Sequence, residues 1–227
     1  MLKAEPHHWV RDDLAYILPM AVFLLLVQAG AAWPAFYPAA YVARTLLVAA
    51  LLVWLWPAYT PIRWNGWYLG AALGVVGIFQ WVLMQHWLQR HFAIFRPDPD
   101  NVFDPTRHFA SSAARWAFIG MRVANASLVV PVMEELFWRD FAWRTVAAPN
   151  DFKLATVGEP DWRAFVIVPI IFASVHGIWG PTAVVWAFMI GGLLVRTHSL
   201  GACVVMHGVT NLLLGLYVIR THEWAFW

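Results

Sequence analysis

Long apolar runs alternate with short polar breaks along this chain, and the runs are continuous rather than periodic. A bilayer core of about 30 Å takes roughly 20 apolar residues of helix. Residues 14–33, 37–56 and 66–87 meet that length. The segments "WPAFYP" and "WPAYTP" end the first two, with prolines placed where they do not interrupt a helical ladder. Gly70, Gly74 and Gly77 in the third run have the three- and four-residue spacing that lets helices approach closely. "FRPDPDNVFDPTRHF", residues 95–109, must lie in water or headgroups and is the clearest boundary in the pattern, though too short to be a domain linker. A long helix is expected over 109–146, then a polar connection, "APNDFKLATVGEPDW". Three further helices follow at 165–178, 181–195 and 200–219, the first two short for full spans. The expected fold is an all-α polytopic bundle of about seven membrane helices, six to eight, in a single integral-membrane domain over 1–227.

Composition supports this. The chain is 61% hydrophobic and 12% charged, where a soluble domain is nearer 45–50% and 25%. Sixteen tryptophans suit a membrane–water interface. A net charge of +2 without a basic run makes nucleic acid an unsuitable partner. One cysteine, Cys203, excludes an internal disulfide framework and a multi-cysteine metal site. The polar start "MLKAEPHHWVRDDLAY" does not read as a cleavable signal peptide, so the first run is expected to be retained. Lys and Arg flank the spans on both sides, which leaves the orientation open.

Against that background a few polar residues stand out, because charge within a bilayer is costly and marks function by default. "VVPVMEELFWRDFAW" holds Glu134, Glu135 and Arg139, one turn after Pro131, whose kink could re-aim the carboxylates. "FASVHG" holds Phe172 and His176, and "HGVTN" holds His207 and Asn211, each pair four residues apart and so on one helix face. Glu135 can reach Arg139 as an ion pair, whereas Glu134 has only Val130 and Trp138 at that spacing. Three helices offering Glu, His, and His plus Asn suggest one polar chamber. Arg115 and Arg122, seven apart, read as anchors near the membrane surface. Cys203, one turn before His207, reads as a small packing residue. His7, His8, His86, His91, His108, His198 and His222 fall near helix ends or loops and read as interfacial. No Gly-x-Ser-x-Gly elbow is present.

The ordered motifs Glu134-Glu135-x-x-x-Arg139, Phe172-x-x-x-His176 and His207-x-x-x-Asn211 resemble the signature of the CAAX-protease and bacteriocin-processing family, which includes the type II CAAX prenyl endopeptidases. The short loops fit its bacterial membrane branches, among them the one associated with exosortase systems. The resemblance implies a glutamate-dependent intramembrane endopeptidase whose catalytic half spans about 109–219. It implies that Glu134 and His176 activate water and that His207 and Asn211 stabilise the oxyanion. Glu135, Arg139 and Phe172 are supporting residues. The implied partners are membrane lipid and a membrane-presented peptide or protein, such as a prenylated CAAX-like tail, at a bacterial inner membrane. No cofactor is implied. Alternatives from the residues alone are a zinc protease using Glu134, His176 and His207, a non-catalytic binding or immunity module, and a transporter with a proton-relay set.

Overall fold

The structure, a computed structural model, describes residues 12–227, so His7 and His8 lie outside the described residues. Among the described residues there are helices and no strands. Six helices are long and apolar enough to cross a membrane, and a shorter apolar one accompanies them. They are α1 (Asp12–Ala32), α2 (Tyr37–Trp54), α3 (Trp67–His91), α4 (Ser112–Ala147), α5 (Trp162–Ser174), α6 (Gly180–Thr197) and α7 (Leu200–Thr221). Exposed tryptophans sit at helix ends, as at Trp33, Trp54, Trp67, Trp87 and Trp162, where an amphipathic ring meets headgroups. The chain is an integral membrane protein with an all-α bundle. It divides into two compact units, Met1–Thr60 and Pro61–Trp227. The segment 95–109, with the short turns Ala93–Phe95, Pro99–Asn101 and Pro105–His108, falls inside the second unit.

In the first unit α1 packs on α2. Pro19 lies inside α1 and has no N–H for the carbonyl of Ala15, four residues back. The Tyr59 hydroxyl donates to that carbonyl at 3.0 Å. Burial, with Tyr16 beside it, pushes the Tyr59 phenol pKa up and keeps it a proton donor. Arg44, midway along α2, is buried with its guanidinium over the rings of Phe23 and Tyr41, at 4.7 and 4.3 Å.

In the second unit α3 and α7 meet along the expected glycines. A Cβ on Gly70 would stand 2.2 Å from the Ala202 carbonyl oxygen, and one on Gly74 would stand 2.7 Å from the Val209 Cβ. The bare helix surfaces are in backbone contact, and the Thr210 hydroxyl adds a bond to the Gly74 carbonyl at 3.1 Å. Gly70→Val should therefore lower stability by about 3 kcal/mol. Gly192→Ala, with nothing within 4 Å of its Cβ, should be neutral or raise stability by about 0.5–1 kcal/mol. Unfolding of both variants in detergent micelles checks the contrast.

α5 is only 13 residues long, about 20 Å, and ends short of a full crossing. Asp161 caps its start, accepting from the N–H groups of Arg163 and Ala164. The Arg163 side chain, then the Ala164 N–H, hold the Asp161 carboxyl below its usual range. The helix stops at Ser174 rather than running through 178. Gly177 takes a left-handed conformation, φ 54°, that a continuing helix does not allow. His176 thus stands just beyond the end of α5.

Candidate active site

The long helix α4 is not uniform. Two stretches, Asn125–Val129 and Leu136–Ala142, are wound as π-helix on either side of Val130–Glu135. Such insertions turn the side chains that follow and recur at functional sites. The adjacent glutamates consequently differ in their surroundings. Glu135 is fully buried. Arg139 stands against it, with Nη1 3.3 Å from Oε1 and Nε at ion-pair distance, 3.2 Å, from Oε2. Oε2 receives no aligned hydrogen bond. Oε1 also meets Nδ1 of His207 at 2.7 Å. The expected Glu135–Arg139 pair is therefore one side of a three-residue cluster that joins α4 to α7.

Glu134 is buried to 9% exposure and carries no hydrogen bond or ion pair among the described residues. It lies within electrostatic reach of His176, as do His207 and Arg139. Nδ1 of His176 meets the Phe172 carbonyl at 2.7 Å. A carbonyl only accepts, so Nδ1 carries the proton and Nε2 presents a lone pair. The i, i+4 relation read from the sequence is thus a bond from the ring back to the last turn of α5. The Phe172 ring lies 4.3 Å from that of His176 and supports it.

His207 is held on its other side by Trp186 of α6, edge to face at 4.8 Å. The Trp186 indole N–H reaches the Thr210 hydroxyl at 3.3 Å. The Arg139 guanidinium lies over Phe172 at 4.9 Å and Trp186 at 5.6 Å, so its charge has a carboxylate and two ring faces for partners. With Nδ1 donating to Glu135, His207 can donate from Nε2 as well only when both ring nitrogens carry a proton. Asn211, one turn on, donates from Nδ2 to the Ala126 carbonyl at 2.8 Å and keeps one further N–H. Glu134 on α4, His176 just past α5, and His207 and Asn211 on α7 all belong to the second unit.

Other expectations divide. Cys203 is buried, its sulfur 3.8 Å from the Ile190 carbonyl, as a packing residue should be. Arg115 is half-buried, with its Nη2 3.5 Å from the Ser112 hydroxyl. Arg122 is no surface anchor: it is buried with its guanidinium 4.9 Å over Trp227. His198 and His222 end α6 and α7 in left-handed conformations. His86 pairs with Glu223 at 2.7 Å. No group of three His, Cys, Asp or Glu side chains among the described residues is arranged to hold a metal ion.

Trp186, Thr210 and the Ala126 carbonyl were not read from the sequence, and neither was the buried Asp140–Arg144 pair at 2.5 Å. Arg144 also donates from Nε to the Ala155 carbonyl at 2.8 Å, which straps the polar connection onto α4. The four-residue spacing of Asp140 and Arg144 was a signal for that pair. Trp186, one of sixteen tryptophans in an apolar run, gave none.

A family model described as Type II CAAX prenyl endopeptidase Rce1-like matches residues 115–213. No curated protein and no solved structure matches the chain. The matched segment contains Glu134, Glu135, Arg139, His176, His207 and Asn211, and over that segment the chain is similar to the type II CAAX prenyl endopeptidase Rce1-like family of peptide hydrolases.

Proposed function

We propose that the protein is an intramembrane endopeptidase that cleaves a peptide bond near the C-terminus of a membrane-presented substrate, at a bacterial inner membrane, without a resident metal. The observation that carries this is the unpaired Glu134 carboxylate beside a histidine whose Nε2 lone pair is free. A water between them donates one hydrogen to each and keeps its own lone pairs for attack. The water oxygen bonds to the scissile carbonyl carbon and its proton passes to Glu134. The developing oxyanion meets His207 Nε2–H and the second N–H of Asn211. The C–N bond then breaks, and the proton held by Glu134 goes to the leaving amine. Products are a new carboxyl terminus and a short amine-ended fragment.

Glu135, held by Arg139, fixes the aim of the His207 ring, and neither touches a reacting atom. An apolar groove of about 390 Å³ between α4 and α7 is lined by Trp116, Ile119, Val123, Leu128 and Leu212. It suits the lipid-like part of a substrate, such as a prenyl group. The test compares membrane-protein C-termini in cells carrying the wild type or His176→Ala, together with cleavage by the purified protein in chelator. We expect shortened C-termini only with the wild type, and cleavage that persists in chelator. Unchanged termini would leave a binding or immunity module as the reading. Activity lost in chelator and restored by zinc would make it a metalloprotease.

A further inference from the structure

The bond from Asn211 to Ala126 has a cause in the helix it crosses to. Within Asn125–Val129 the backbone pairs five residues apart, and the Val130 N–H reaches the Asn125 carbonyl. In that register the donor for the Ala126 carbonyl is residue 131, which is a proline and has no N–H. Val130, the donor in an ordinary α register, is already committed to Asn125. The Ala126 carbonyl is therefore left without a backbone donor, a costly state for a buried group, and the Asn211 carboxamide supplies one. Gly208, three residues before Asn211, clears the approach: a Cβ there would stand 2.7 Å from the Ser127 carbonyl oxygen. The same arrangement occurs independently in the first unit, where Pro19 leaves the Ala15 carbonyl to Tyr59.

We propose that Pro131 is a positioning residue: by withholding an N–H from Ala126 it makes that carbonyl the anchor that fixes the Asn211 carboxamide. The anchor accepts, so it settles which end of the amide faces α4. Nδ2 must point to Ala126, and only its second N–H is left to serve the site. Without the anchor the amide is free to flip or rotate and to present an oxygen to the oxyanion. A donor fixed before the reaction stabilises developing charge more than one that must be reoriented. The proposal rests on the proteolytic reading of Asn211, but the bond itself can be followed without catalysis.

The variant is Pro131→Ala in the full chain, in lipid nanodiscs. A new N–H at 131 competes with Asn211 for the Ala126 carbonyl, while the removal of a helix-interior proline does not weaken α4. The expected result is an unchanged or higher unfolding midpoint together with kcat lowered about 10–100-fold at nearly constant KM, the scale of a misplaced catalytic group. Asn211→Ala should be equally impaired, and adding Pro131→Ala to it should bring no further loss, because the two act through one bond. As a readout independent of activity, the Asn211 side-chain amide resonances should shift in Pro131→Ala towards those of a singly solvated amide. Additive losses in the double variant, or Asn211 resonances unmoved by Pro131→Ala, would overturn the inference and leave the proteolytic reading standing. An inactive wild type whose Asn211 resonances still shift in Pro131→Ala would keep the anchor and remove the protease.

Discussion

Glu134→Gln lowers kcat by a factor of about 10²–10⁴ and at the same time leaves the protein as stable as the wild type or more so. Both halves follow from one fact: the Glu134 carboxylate is almost wholly buried and has no ion pair or hydrogen bond among the described residues. A buried charge without a partner is unfavourable, so a neutral amide of the same shape relieves the fold. The amide cannot take a proton from water, so it ends the chemistry. Steady-state cleavage of a peptide substrate and thermal unfolding of the same preparation, each in the same detergent, give the two numbers. Losses should be at least as severe for Glu134→Ala as for His176→Ala, and then smaller for His207→Ala and Asn211→Ala. Wild-type rates with Glu134→Gln would defeat the assignment of this residue as the base.

Arg139→Leu is expected to do the reverse at the level of the fold. It leaves a fully buried Glu135 with His207 alone, and breaking a buried pair on one side costs about 3–5 kcal/mol. The guanidinium also seals two ring faces, Phe172 and Trp186, which lose their cation. Glu135→Leu combined with Arg139→Leu should be less destabilised than Arg139→Leu alone, because the double change removes the orphaned charge with its partner. Denaturant unfolding of the three proteins reads the difference. A single variant as stable as the wild type would mean that Glu135 is not charged in the native state. Neighbouring glutamates are thus expected to separate by sign: one substitution should spare the fold and end activity, and the loss of the other's partner should attack the fold first.

That division was partly legible in the sequence. The spacing of Glu135 and Arg139 announced an ion pair, which the structure contains, and the lack of a partner for Glu134 at that spacing is why it is the residue proposed as the base. Spacings of three and four are fixed by the helix itself, so whatever depends on them can be read directly. Gly70, Gly74 and Gly77 were read in the same way. The histidine that completes the Glu135 cluster lies 72 residues along the chain, and the carbonyl that engages Asn211 lies 85 away. Nothing local encodes such pairings. Pro131 announced a lost hydrogen bond but not the two changes of winding around it, because a proline states which donor is missing and not how its neighbours re-pair. The end of α5 was misplaced for a related reason: "FASVHGIW" remains apolar past Ser174, and only the left-handed Gly177 stops the helix.

The contact of α3 with α7 reaches further than packing. The helix that bears His207 and Asn211 lies with its backbone directly on Gly70 and Gly74, and Trp81 of α3 stands 6.2 Å from His176. Yet α3 lies wholly upstream of residue 115, where the family match begins. The hereditary signature and the physical machine accordingly have different borders, and any attempt to transplant the signature into another scaffold must carry a wall that the signature does not spell out.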